Sequence, residues 1–199
     1  MGNQDTRDRI VDGAMAMFTA KGIAEATVQD VLEGSGVSRR TFYQYFQGKE
    51  DVLRAVYDVR VDRLVEALGG GIQTAQDPHA RILAALDAWI ELQIEGGRLF
   101  VELQSEASRP GSLLHPRRER TLDAIVATID GAVQAGGGRA VDRLVYRGLV
   151  LGVEGLVLHQ VDRQTLLAER ERFRAAVSAL ILVVLKNSRD LPDPPPAGG

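Results

Sequence analysis

Thr27-Val28-Gln29-Asp30-Val31-Leu32-Glu33-Gly34-Ser35-Gly36-Val37-Ser38-Arg39-Arg40-Thr41-Phe42-Tyr43-Gln44-Tyr45-Phe46 reads as two short helices joined by a turn. Thr27 is a strong N-cap. Asp30, three residues on, makes an approximate capping box, because its carboxylate can reach back to the cap's own N–H. Val28, Val31 and Leu32 then recur on one helical face. Gly34-Ser35-Gly36 breaks that helix and Ser38 caps the next, in which Phe42 and Phe46 form the i, i+4 inner face. Two capped helices around a glycine-containing turn make a helix-turn-helix, a unit whose second helix enters a DNA major groove. Arg39, Arg40, Tyr43 and Gln44 fall on the outer side of that second helix. Arginine grips guanine edges bidentately, glutamine does the same with adenine, and a tyrosine ring can lie on a thymine methyl. Thr27, Ser38, Thr41, Tyr45 and Lys49 place hydroxyls and one ammonium at the rim, where they suit phosphate oxygens. On spacing alone the same residues also fit a small helical subdomain with a solvated face, because short patterns of this kind recur by chance.

The flanking sequence is helical too. Ile10, Ala14, Met17 and Phe18 mark the buried face of a preceding helix, which Gly22 ends, with Ile23 as the apolar residue after the glycine cap. Downstream, Gly48 is a weaker cap, and Glu50 and Asp51 suit the first turn of a fourth helix. Val52, Leu53, Val56, Val59 and Leu64 carry its stripe, and Gly69-Gly70-Gly71 is expected to end it. Asp77-Pro78 opens a helix with Ile82, Leu83, Leu86, Trp89 and Ile90 that breaks at Gly96-Gly97. A short segment from Leu99 to Ala107 follows, then a loop at Arg109-Pro110-Gly111. A longer helix over Leu113 to Ala135 is perturbed near His115-Pro116, and the last two helices fall at 139–161 and 165–187. The β-branched run Ile181 to Val184 lies inside a 3.6-residue period and reads as helix. The expected fold is therefore all-α.

Composition narrows the function. The chain has 199 residues, no cysteine, 45 % hydrophobic and 26 % charged residues, and a formal net charge of −3. This length can bury a core without staples. The lack of cysteine excludes a disulfide framework, a thiolate metal site and a cysteine nucleophile. A net charge of −3 taken alone speaks against nucleic acid. Yet from Thr27 to Lys49 the cations Arg39, Arg40 and Lys49 face only Asp30 and Glu33, and both acids lie on the supporting helix. Distribution matters more than total here. The sequence holds no HExxH, P-loop, GxSxG or strand-following GxGxxG, so neither an enzyme nor a metal or cofactor site is expected. The polar N-terminus and the short apolar run Ala179 to Leu185 point to a cytoplasmic protein without a membrane span. The proline-rich tail, 189–199, is expected to be disordered.

The stretch Thr27 to Leu32, with Gly36-Val37-Ser38, Thr41 to Phe46, Lys49 to Leu53 and the upstream Ala14, Phe18 and Gly22, resembles the N-terminal domain of TetR-family transcriptional regulators. The resemblance covers roughly residues 6–54. It implies a three-helix DNA-binding domain, taken as 1–48, followed by a helical-bundle domain for ligand binding and dimerisation, taken as 49–188. It implies a homodimer built on the last two long helices, a palindromic operator in double-stranded DNA, and repression released by a small apolar or amphipathic effector. By position, Arg39, Arg40, Tyr43 and Gln44 match base-reading sites, and Thr27, Thr41, Tyr45 and Lys49 match phosphate sites. Gly48 departs from the family's usual Ser or Asn cap.

The second half carries no such motif. Trp89, Gln93, Phe100, His115, Tyr146 and His159 are the candidates for an effector pocket, which combines apolar walls with a few polar groups. Each also fits an ordinary core or loop role. The final two helices are apolar over more surface than one neighbour covers, and Leu149, Gly152, Leu156, Phe173, Val177, Leu180, Ile181 and Val184 are the candidates for a dimer interface. The competing reading is a DNA-binding protein of the same fold without a small-molecule ligand, controlled by a protein partner or acting architecturally.

Overall fold

The computed structural model describes residues 2–74, 78–135, 141–159 and 168–186. Among these are eight helices and no strand: α1 (Gly2–Lys21), α2 (Val28–Ser35), α3 (Arg39–Tyr45), α4 (Lys49–Thr74), α5 (Pro78–Ser108), α6 (His115–Ala135), α7 (Arg143–His159) and α8 (Arg170–Lys186). The all-α expectation holds. The tail 189–199 and the glycines Gly136 to Gly138 lie outside the described residues.

Two helix boundaries differ from the sequence reading. α4 runs through Gly69-Gly70-Gly71 to Thr74. Glycine weakens a helix by about 1 kcal/mol per residue but keeps its N–H, so it lowers propensity without forbidding the turn. α6 starts at His115 rather than Leu113. Pro116 sits in its first turn, where a fixed φ and a missing N–H cost nothing. The break expected at Gly96-Gly97 is present inside α5, whose range holds two helical segments: Gly97 between them takes φ 51°, ψ −139°, a conformation open essentially to glycine alone.

The chain packs as two compact units, Met1–Val65 with Gly96–Arg117, and Glu66–Glu95 with Arg118–Gly199. In the first, Ile10, Val11, Ala14 and Phe18 of α1, Val31 and Leu32 of α2, Phe42 of α3 and Val52 and Val56 of α4 form one core. Leu99, Leu103 and Ala107, after the α5 kink, join the same core. α1 and α2 approach backbone to backbone: a Cβ on Gly13 would stand 2.6 Å from Ser35 N, and one on Gly34 would stand 2.9 Å from Gly13 O. Arg117 Nε pairs with Asp58 Oδ1 at 2.7 Å, tying the start of α6 to α4.

The second unit has two apolar clusters. Leu86, Ile90 and Ile94 of α5 pack with Phe173 and Val177 of α8, and Val153 of α7 joins them. Val126, Val141 and Tyr146 make the other. Ion pairs bridge the same helices. Arg174 holds Asp87 with two hydrogen bonds of 2.5 and 3.0 Å, Arg118 holds Glu154 at 2.6 Å, and Arg147 reaches Asp123 at 2.9 Å and also Glu119. No helix among the described residues is long and apolar enough to cross a membrane.

Candidate nucleic-acid interface

The helix-turn-helix is assembled by local hydrogen bonds. Thr27 caps α2 with a complete capping box: its hydroxyl accepts from Asp30 N at 3.3 Å, and Asp30 Oδ2 accepts from Thr27 N at 2.8 Å. Gly36 ends α2 in the left-handed region, φ 65°, and its N–H donates to Leu32 O at 2.9 Å. Ser38 caps α3, its Oγ accepting from Thr41 N at 3.1 Å, and its hydroxyl lies 2.8 Å from that of Thr41. Phe42 is fully buried beneath α3 and meets Tyr43 edge-on and Phe46 at 6.0 Å. Arg7 of α1 lies over the Phe46 ring. Gly48 occupies the cap position of α4 without a side chain, and Asp51 accepts from Gln47 N at 3.1 Å in its place.

The buried Phe42 turns the opposite side of α3 outward. Arg39, Arg40, Tyr43 and Gln44 are all exposed, Tyr43 to 50 %. Arg39 is steered by Gln29 of α2, whose Oε1 accepts from its guanidinium at 3.4 Å. Thr27 and Ser38 are exposed, Thr41 is half-buried, and Tyr45 is half-buried against the core. Lys49 is engaged within the protein: its Nζ donates to the carbonyls of Ile23, Ala24 and Ala26 at 2.9, 2.9 and 2.8 Å. Asp30 is paired with Lys21, and together with the Thr27 hydroxyl and amide that ammonium holds its carboxyl at about 2, below the ordinary 3.8. The acid that seemed to offset the recognition helix is thus neutralised by a cation from α1.

The candidate pocket residues divide between the two units. Phe100 and His115 belong to the first unit. Phe100 lies under the Arg60 guanidinium, and His115 Nδ1 is 3.1 Å from Ala107 O. Trp89, Gln93 and Tyr146 belong to the second unit. Trp89 stacks on Phe173, whereas Gln93 Oε1 and Tyr146 OH are buried with no hydrogen-bond partner among the described residues. Burial, and then the charge of Asp130, pushes the Tyr146 phenol up. The side chains of His159 and Val184 lie outside the described residues.

The expected interface set divides by burial: Gly152, Leu156 and Leu180 are exposed. Leu149 is buried within this chain, Phe173 and Val177 are buried because they face its own core, and Ile181 is half-buried against that core. What faces outward is Leu144, Leu151 and Leu156 on α7 and Leu180 and Val183 on α8. Gly148, Gly152 and Gly155 share the α7 face, with nothing within 4 Å of their Cβ positions. Sequence does not single out Leu151 and Val183, since apolar periodicity does not say which of two apolar faces turns inward.

Comparison with known proteins matches this geometry. Residues 10–56 match the family model of bacterial regulatory proteins, tetR family. The chain is 34 % identical over 85 residues to the HTH-type transcriptional regulator SrpR of Pseudomonas putida, covering 43 % of this chain and 40 % of that relative. The chain thus spans well under two thirds of that relative's length. A TetR transcriptional regulator from Chloroflexus aurantiacus superposes with a TM-score of 0.69 at 23 % identity, over 90 % of this chain and 95 % of that one. The transcriptional regulator FadR from Bacillus subtilis, solved in complex with stearoyl-CoA, gives 0.67 at 19 % identity over 89 % and 96 %. The fold is shared across almost the whole chain, while the sequence signal is concentrated in residues 10–56, which match the bacterial regulatory proteins of the tetR family.

Proposed function

We propose that this protein is a homodimeric DNA-binding transcriptional regulator that represses by occupying a palindromic operator and leaves it when a small apolar or amphipathic effector binds. In this reading residues 1–48 hold the DNA-reading surface and residues 49–188 the effector and dimer functions. The observation that carries it is the outward face of α3, where Arg39, Arg40, Tyr43 and Gln44 stand exposed on a helix anchored by the fully buried Phe42. These side chains supply two guanine-reading forks, an adenine-reading amide and a methyl-contacting ring within six residues. The exposed hydroxyls of Thr27 and Ser38 suit phosphates.

Two further observations support the finer parts. The exposed residues Leu144, Gly148, Leu151, Gly152 and Leu156 make an apolar stripe on α7, and Ala176, Ala179, Leu180 and Val183 make another on α8. Paired apolar stripes on neighbouring helices favour a two-fold helical interface. In the second unit, Gln93 Oε1 and Tyr146 OH are buried without partners. Such groups cost free energy unless something supplies the missing bonds, which favours an effector over a ligand-free regulator. The stearoyl-CoA bound by the Bacillus subtilis FadR fits an amphipathic effector.

The test is selection of bound fragments from genomic DNA, followed by a gel shift of each enriched duplex. A few enriched fragments sharing an inverted repeat are expected. No shift of any fragment at low salt overturns the DNA-binding reading.

A further inference from the structure

In the first unit, the turn Gly22–Ala26 delivers the chain from α1 to Thr27, the cap of α2, and side chains hold much of its backbone. Gly22 N donates to Phe18 O at 2.9 Å and Ala26 N to Gly22 O at 3.1 Å. The carbonyls of Ile23, Ala24 and Ala26 all accept from Lys49 Nζ. An ammonium has three donors and no acceptor, so these three carbonyls match its full capacity. The Ile23 N–H donates to Glu102 Oε2 at 2.7 Å. The second oxygen of Glu102 accepts from Arg98 Nε at 2.6 Å. This pair sits against Gly22, where a Cβ would stand 3.0 Å from the Arg98 guanidinium and 3.3 Å from Glu102 Oε1, and where φ 88° already favours glycine.

We infer that Lys49 and Glu102 are positioning residues that clamp the α1–α2 turn and so aim Thr27 and the start of α2 at DNA, and that Lys49 is not a phosphate contact. To bind a phosphate, Lys49 would have to release a carbonyl, two of the three being partly buried. Glu102 lies 79 residues from Ile23 and beyond the family-matched residues 10–56. The DNA-binding module is therefore completed by the segment of α5 after its kink, and Glu102 is the polar tie between that segment and the turn. This inference rests on the DNA-binding reading above.

Two measurements on the full-length protein test it. The first is fluorescence anisotropy with a duplex recovered by the genomic selection, titrated across about 50–200 mM salt. Lys49→Met should weaken binding by about tenfold at each salt while the slope of log K against log salt stays as in wild type. A lost phosphate contact instead lowers that slope by about 0.9. A lowered slope, or unchanged affinity, overturns the role given to Lys49. The second is amide hydrogen exchange at Ile23, which needs no DNA. Glu102→Ala should reduce protection about tenfold or more, the scale of a hydrogen bond to a charged group. Glu102→Gln, which keeps an acceptor oxygen, should retain most of it. Unchanged Ile23 protection in Glu102→Ala overturns the clamp. A wild type that binds no genomic fragment refutes the DNA-binding reading and the DNA role of the clamp with it, while the exchange result still decides whether the clamp exists.

Discussion

Replacing Gly13 by alanine should destabilise this protein, although the same change in an open helix stabilises one. Gly13 lies in the middle of α1, where a Cβ would stand 2.6 Å from Ser35 N and 2.7 Å from Ser35 Cα and Cβ. Ordinary van der Waals contact begins at 3.4 Å, so α1 and α2 would have to part by about 0.8 Å. Two of the three atoms met are backbone, which no rotamer change can remove. Overpacking of this kind costs about 1–3 kcal/mol, and the immovable neighbours put this case in the upper half of that range. Alanine returns about 1 kcal/mol through helix propensity. The net loss is then about 1–2 kcal/mol. Gly131 of α6, with nothing within 4 Å of its Cβ, is the internal control, and Gly131→Ala should gain about 0.5–1 kcal/mol. Urea denaturation followed by far-ultraviolet circular dichroism should move the two midpoints in opposite directions. Because α2 supports α3, Gly13→Ala should also weaken DNA binding. Stability of Gly13→Ala at or above wild type would refute the reasoning, since it would mean that these two backbones separate at no cost.

Acid should act through Asp30, whose carboxyl is held at about 2 by Lys21 and Thr27. A depressed folded value contributes stability that is complete above the ordinary value of 3.8 and is lost as pH falls from about 4 through about 2. Asp30→Asn should therefore flatten the pH dependence of the melting temperature in that window, and an unaltered profile would count against the pairing. On the proposed dimer, Leu180→Glu, on the exposed side of α8, should turn a wild-type dimer into a monomer in light scattering with helicity retained; a variant that stays dimeric would move the interface elsewhere, and a monomeric wild type would refute the dimer. Tyr146→Phe removes a buried hydroxyl that has no partner among the described residues, so stability without effector should hold or rise by up to about 1 kcal/mol. A loss of more than about 1 kcal/mol would show that the hydroxyl is satisfied in the ligand-free protein.

Much of the helix-turn-helix unit is legible because it is written in short-range chemistry. The Thr27–Asp30 box, the Gly36 cap, the Ser38 cap and the Phe42–Phe46 pair join residues no more than four positions apart, so spacing alone shows each of them. The exposure of Arg39, Arg40, Tyr43 and Gln44 follows from the same period, since burying Phe42 turns them outward. The break at Gly96-Gly97 is legible from the glycine pair, though not the positive φ that Gly97 takes there.

What tertiary structure alone decided are the pairings across long sequence distances. Gly13 reads as an ordinary helix glycine until Ser35 arrives beside it. Lys49 reads as a phosphate ligand until three carbonyls from residues 23–26 surround it. Glu102 shows locally only its i, i+4 pair with Arg98, and nothing local points to its other partner, Ile23, 79 residues away. On α7 and α8, period told which residues are apolar but not which side each helix presents to its own core, so Phe173 and Val177 went inward while Leu180 and Val183 stayed out. Caps and stripes are set by contacts within one helical turn and can be read from a string of residues. Close backbone approach, ion-pair partners and the choice between two apolar faces depend on which distant surfaces meet, and only the folded chain brings those together.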